Sequence, residues 1–260
     1  MATIVALPLL RRCLCAGLFA AMLAPCGAET LTVCIGNRDY PPLFFLGHDG
    51  QAQWLVRKAV ARQGDTVSFV AVPWRRCLYG LRSGAYAAAL PVVANRSFAP
   101  LYAFPMRKGA VDPAQGVATI SHLVVRRVGS TSDWDGVKFS GLNTPVLYPA
   151  GIVVVADALA ALGVERDDAT TGEEQTLLKL LSRGGDLAVI HAGAAGLLVW
   201  APFKGRLEVL PQPLLTTTAY LAFNRAFHDS HRAYAEAVWR EIERLRGSDE
   251  WTAIAPTLAH

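Results

Sequence analysis

Charge is scarce in this chain. Asp, Glu, Lys and Arg make up 18% of its 260 residues against 52% apolar ones, which excludes the disordered class. The 25 Lys+Arg exceed the 21 Asp+Glu by only +4, too little for an electrostatic footprint on nucleic acid. Chemical signatures are missing as well. There is no His-Glu-x-x-His, no Gly-x-x-x-x-Gly-Lys phosphate loop, no Gly-x-Gly-x-x-Gly and no Gly-x-Ser-x-Gly elbow. No catalytic residue, metal ligand or cofactor is therefore expected from local motifs. His228 and His231 stand three apart, but two ligands without a third read as a solvated helix end. Beyond the first 28 residues no segment approaches about 18 uncharged apolar positions, so no membrane span is expected in the mature chain.

The N-terminus differs in composition. Residues 1–12 are apolar except for Arg11-Arg12, and Cys13 to Ala24 carry no charge. That stretch is too short to span a bilayer and suits the apolar region of a secretory signal. Cys26 and Ala28 supply small residues three and one positions before a cut after Ala28, so residues 1–28 are expected to be a signal peptide and the protein periplasmic. A lipidated Cys26 is the alternative, and Pro25 before it argues against that reading. Removing these 28 of 260 residues leaves 232, takes two positive charges away with Arg11 and Arg12, and leaves Cys34 and Cys77 as the remaining cysteines. An even pair in an exported chain reads as one disulfide.

The mature chain alternates. Leu31–Ile35 reads as a buried strand, Gln51–Arg62 as an amphipathic helix ended by Gly64, and Thr66–Val72 as a strand. Pro73 opens a helix that carries Cys77, Leu78 and Leu81 inward and ends at Gly84, and Ala87–Val93 is a buried strand. The alternation resumes with strands at Leu123–Val125 and Val137–Leu142, helices at Ile152–Leu162 and Gly172–Ser182, and a strand at Asp186–Ile190. A strand at Ala219–Phe223, a helix from Ser230 to Arg246 and a short helix capped by Ser248 finish it. The pattern predicts an α/β fold of two lobes, each a mainly parallel sheet flanked by helices. The expected divisions are 29–114 for the first lobe, 115–214 for the second and 215–260 for the return, with any ligand between them at strand C-terminal ends.

Ordered motifs carry a resemblance. Leu31-Thr32-Val33 is followed by Tyr40-Pro41-Pro42, then by Val72-Pro73-Trp74-x-Arg76 with Leu81-x-x-Gly84, and by Tyr102-Ala103-Phe104-Pro105. Leu123-Val124-Val125-Arg126, Leu177-x-x-Leu180 with Gly184-x-Asp186-Leu187-Ala188-Val189, and Tyr220-Leu221-Ala222-Phe223 follow in order. Together they resemble the bacterial extracellular solute-binding proteins of family 3, which have the type II periplasmic binding protein fold. The resemblance implies a monomer without catalysis that captures a small polar or anionic solute, amino-acid-like or an organic acid, between closing lobes for an ABC transporter.

By the same resemblance Tyr40 would pack on the ligand and Trp74 would line the cleft or anchor a helix start. Arg96 would clamp a carboxylate after a two-residue slip, since gapless counting from Phe104-Pro105 puts Phe98 there. Ala150 and Gly151 would offer backbone to an anionic group. His191 stands where the family has an Asp for the ligand amino group; a neutral imidazole is no substitute for that carboxylate, and His191 is expected among the ligand contacts of a different, anionic or aromatic solute. Glu173 and Glu174 read as helix N-terminal charges. Cys34, in the first strand, and Cys77, in the helix after the second, lie on elements that pack together, so a Cys34–Cys77 bridge is expected, with two buried thiols as the alternative. Relatives of this fold include periplasmic dehydratases and sensory modules, the two rival functions.

Overall fold

Short apolar runs punctuated by Gly and Pro build strands covered on both faces, and the amphipathic segments between them build the covering helices. A computed structural model describes residues 28–182 and 185–259. The leader expected over 1–28, with Cys13, Cys15 and Cys26, lies outside the described residues apart from Ala28. In the first half β1 (Thr30–Ile35), α1 (Gln51–Ala61), β2 (Thr66–Ala71), α2 (Trp74–Ser83) and β3 (Ala88–Val93) alternate. Strand β1 pairs in parallel with β2 on one side and β3 on the other. The short β4 (Tyr102–Ala103) and the hairpin β5 (Met106–Arg107) and β6 (Ala110–Val111) lead into the long β7 (Ala118–Arg127).

The second half repeats the plan. After a small pair, β8 (Asp133–Trp134) with β9 (Phe139–Ser140), come β10 (Val146–Pro149), α3 (Val153–Ala161), β11 (Arg166–Thr170), α4 (Glu173–Ser182) and β12 (Leu187–His191). Strand β10 pairs in parallel with β11 and β12. The chain returns through β13 (Leu207–Asn224) to α5 (Arg225–Ser230), α6 (Arg232–Arg246) and α7 (Asp249–Ile254). The main sheet runs β11-β10-β12-β7-β13-β3-β1-β2, with β4 beside β13. In each half the first strand of the unit lies between the next two, so the connections leave it in opposite directions. A crevice opens outside the carboxyl ends of strands at such a point.

Burial divides the chain in the same way. Residues from 31–120 and 219–251 share one pair of apolar clusters, and residues from 123–215 share another. The chain therefore passes between halves inside β7 and returns inside β13, two strands paired antiparallel from Ala118↔Ala219 to Arg127↔Leu207. Helix α1 buries Ala52, Leu55, Val56, Ala59 and Val60 completely, the spacing of one helical face. Helix α6 presents Ala235, Val238, Trp239, Ile242 and Leu245 to the same core, and Trp239 donates its indole N–H to the Leu221 carbonyl at 2.8 Å. Cys34 and Cys77 are both fully buried and form the expected disulfide, with Cα atoms 5.6 Å apart. Gly84 closes α2 with φ of 82°, a conformation that costs glycine nothing.

Four expectations are corrected. The strand expected over Val137–Leu142 shrinks to Phe139–Ser140, because the Asp135 carboxylate accepts the Val137 and Lys138 N–H groups and bends the chain into a turn. The strand expected over Ala219–Phe223 extends back to Leu207 through Pro211 and Pro213, where the pairing register breaks. The helix expected from Ser230 to Arg246 starts at Arg232, since His231 leaves helical geometry at φ −125°, and a separate short helix over Arg225–Ser230 precedes it. Strands β10 and β11 arise from segments given no strand: β11 reads Arg-Asp-Asp-Ala-Thr, an edge strand without apolar alternation. Asp186, which heads β12, anchors this edge of the fold. Its Oδ2 accepts the backbone N–H groups of Asn143 and Thr144 at 2.6 and 2.9 Å and the Thr144 hydroxyl at 3.1 Å.

Candidate functional site

The carboxyl ends of β1, β2 and β3 in one half and of β10 and β11 in the other open onto a single cleft. It holds a cavity of about 620 Å³, the size of a small-molecule site. Its first-half wall comes from the loop after β1 (Gly36 to Tyr40, with Phe44), the β2–α2 junction (Pro73 to Arg75) and the segment after β3 (Asn95 and Phe98). Ile120 and His122 of β7 form the hinge side. Ala150 to Val154, at the start of α3, and Thr171 to Glu173, at the start of α4, form the second-half wall. Most of this lining is apolar or aromatic.

Of the six expected site residues, Tyr40, Trp74, Ala150 and Gly151 line the cavity. Trp74 also packs against the first-half core, and its ring lies 3.7 Å from where a Cβ on Gly151 would sit. Arg96 is exposed and outside the lining, whereas Phe98 lies inside it. The reason is local: Asn95 Oδ1 accepts the Phe98 N–H at 2.8 Å, and the resulting turn carries Phe98 inward past Arg96. His191, buried at 5% exposure, stacks on Tyr40 with ring centroids 4.0 Å apart and borders a second, smaller cavity of about 270 Å³.

Three further residues were not expected at the site. His122 pairs with His191 across β7 and β12, lines the main cavity and leaves its Nδ1 without a hydrogen-bond partner. Asn95 Nδ2 is likewise buried and unpartnered. Since its Oδ1 is committed to the Phe98 N–H, the amide group left for the cavity is a donor. Glu173 is not merely a helix-terminal charge: it lines the cavity with its Oε1 3.6 Å from His191 Nε2. A polar residue opening a helix beside a strand end was the available signal, but it also describes ordinary helix starts.

Burial sets the electrostatics. It pushes the His122 imidazole down to about 4, and it pushes His191 down to about 3 with help from neighbouring His122. Both rings are neutral at physiological pH. The His191–Glu173 approach is therefore no ion pair, and 3.6 Å is beyond hydrogen-bond distance. Burial raises the Glu173 carboxyl, opposed by a backbone hydrogen bond and by Arg38. Burial and then Glu173 raise the Tyr40 phenol. The two arginines of the lining, Arg38 and Arg75, are exposed at its rim, and Arg75 faces Asp168 of the other half at 4.0 Å. Among the described residues no cluster of three or more His, Cys, Asp or Glu side chains comes together to hold a metal.

The halves touch across the cleft at several points: Tyr40 on His191, Arg75 facing Asp168, and Gly193 against the carbonyl of Pro41. The arrangement leaves room between two walls for a small organic molecule and lines that space with mostly apolar surface and a few polar residues.

Comparison with solved structures decides the architecture. The glutamate-bound ligand-binding core of GluR0 from Nostoc punctiforme superposes with a TM-score of 0.66 at 11% identity, over 88% of this chain and 98% of that one. The fold is that of the two-lobed periplasmic binding proteins. An arginine-bound amino acid ABC transporter substrate-binding protein from Streptococcus pneumoniae matches with a TM-score of 0.65 at 15% identity, covering 88% and 94% of the two chains. The periplasmic VFT2 domain of BvgS from Bordetella pertussis matches with a TM-score of 0.64 at 17% identity, covering 88% and 93%. No family model and no curated protein matches the chain in sequence. Among the described residues of this binding-protein fold no helix is long and apolar enough to cross a membrane.

Proposed function

We propose that the protein is a periplasmic solute-binding protein that captures a small organic molecule between two lobes, 29–114 with 215–260 and 115–214, and catalyses no reaction. The observation that carries this reading is the cavity of about 620 Å³ between the two halves, walled mostly by apolar and aromatic side chains with a few polar residues among them. Tyr40, Trp74, Ala150 and Gly151 contribute the contact surface, and His191 supports Tyr40 from behind. Arg96 is left out of the ligand set because it is exposed. The carboxylate clamp that pointed to an amino acid or organic acid goes with it.

Delivery to an ABC transporter is the leading role, in keeping with the fold shared with the Streptococcus pneumoniae transporter protein. The likeness to the BvgS domain supports a second reading, a ligand sensor that acts through a separate partner. A thermal-shift screen of the purified protein against amino acids, aromatic acids, amines and small organic anions tests capture. A binder raises the melting temperature by mass action, and Trp74→Ala should remove the shift. A screen in which nothing binds would overturn the reading. Release of a product from prephenate-like acids would reinstate the dehydratase alternative. Mass spectrometry of exported protein should find Glu29 at its N-terminus.

A further inference from the structure

The chemistry of the cleft narrows the solute, provided the cleft is a capture site as proposed above. Glu173, half-buried with 20% of its side chain exposed, is the acidic side chain that the second half contributes to the lining. Among the described residues it forms no ion pair with any lysine or arginine. A carboxylate in a cavity of mostly apolar lining calls for a cationic partner. The protein's own candidates fall short. His191 is held neutral by burial, and Arg38, which lies beside this helix start and lowers the Glu173 carboxyl, is exposed at the rim and makes no salt bridge with it among the described residues. The opposite wall lacks what an α-carboxylate needs. Phe98 occupies the lining in place of Arg96, and the oriented donor beside it is Asn95 Nδ2, a neutral amide. A neutral amide suits a hydroxyl or carbonyl oxygen, whereas a desolvated carboxylate is matched by a guanidinium. Trp74 and Phe98 add aromatic surface for the ligand body and for a cation beside it.

We infer that the solute is an organic amine with an aromatic or otherwise apolar body and no α-carboxylate, its ammonium on Glu173 and a neutral oxygen acceptor at Asn95. An acid of the same shape would bring a second negative charge toward Glu173, and the matching amino acid would bury a carboxylate against Phe98.

Calorimetric titration with one ring in three charge states tests this: tyramine, tyrosine and 4-hydroxyphenylacetate. Tyramine should bind at least tenfold more tightly than the other two. Glu173→Gln, which keeps the side-chain shape, should erase that preference while the melting temperature of the free protein is retained. Asn95→Asp, which puts an acceptor where the donor stood, should weaken tyramine but not 2-phenylethylamine, which lacks the hydroxyl. Tighter binding of tyrosine or the acid, or an unchanged tyramine affinity in Glu173→Gln, overturns the inference. If other solutes bind and no amine does, the inference fails while capture stands. If no solute binds at all, both fail.

Discussion

The ring of Tyr40 lies 4.0 Å from the imidazole of His191, 28° from parallel, and the two residues come from opposite halves of the molecule. Tyr40 leaves the loop after β1, and His191 ends β12. Resemblance put both against a ligand, as separate contacts. They also meet each other across the two halves, with Phe44 stacked behind Tyr40 at 5.9 Å. Such a pair contributes about 0.5–1.5 kcal/mol beyond its buried area.

Acid should loosen this contact. The folded-state values of His122 and His191, about 4 and about 3, lie below the ordinary 6.5, so the unfolded chain takes up these protons first. The stability the neutral rings contribute is fully present above pH 6.5 and is lost as pH falls toward 4 and then 3, by up to about 1.4 kcal/mol per pH unit for each ring. Glu173, raised by burial, acts in the opposite sense. Urea midpoints from pH 8 to 4 should fall more steeply for the wild type than for His191→Phe, which keeps a ring on Tyr40. Parallel curves would refute the assignment.

Gly193 should control how far the halves approach. A Cβ at this position would collide with the carbonyl oxygen of Pro41 in the other half. Gly193→Ala is expected to leave the melting temperature of the free protein nearly unchanged and to weaken ligand binding about tenfold, close to 1.4 kcal/mol, by holding the cleft ajar. Small-angle scattering should report a larger radius of gyration with ligand present. Equal affinity and equal radius would show that the contact does not limit closure.

Reducing the Cys34–Cys77 bridge should destabilise the first half. The bridge spans a sequence separation of 43 residues, and loop entropy sets its contribution at up to about 4 kcal/mol. The denaturation midpoint of the wild type should drop on adding a thiol reductant, and that of a Cys34→Ala/Cys77→Ala variant should not respond to it.

Asp186→Ala should cost about 2–4 kcal/mol, because it strands the Asn143 and Thr144 N–H groups that share Oδ2. Asp186→Asn, which retains an oxygen acceptor, should cost less. Equal denaturation midpoints for Asp186→Ala and wild type would mean that water replaces these bonds at no cost.

Several elements could be read from the residues because local periodicity and burial agree there. Leu31–Ile35, Gln51–Arg62 and the Pro73-to-Gly84 helix each carry one consistent pattern and a recognisable stop, and each lies within a residue or two of its expected bounds. Strand β11 escaped notice because an edge strand facing solvent needs no apolar alternation. The site was harder. Tyr40, Trp74, Ala150 and Gly151 were placed by the family resemblance and adjoin strand ends, whereas choosing Arg96 over Phe98 depended on a turn set by one Asn95 hydrogen bond.

By itself the sequence determined an α/β chain of two repeating units with its cysteines on adjacent elements. Hydrophobic periodicity and turn residues act over a few positions and need no partner to be read. Only the tertiary structure decided what stands in the cleft. Whether Glu173 is a solvated helix start or a half-buried acid of the cleft, and whether Tyr40 and His191 touch, depends on segments more than a hundred residues away along the chain. The scarcity of charge takes its meaning from that placement: Glu173 sits half-buried in a mostly apolar cleft, and among the described residues no lysine or arginine forms a salt bridge with it.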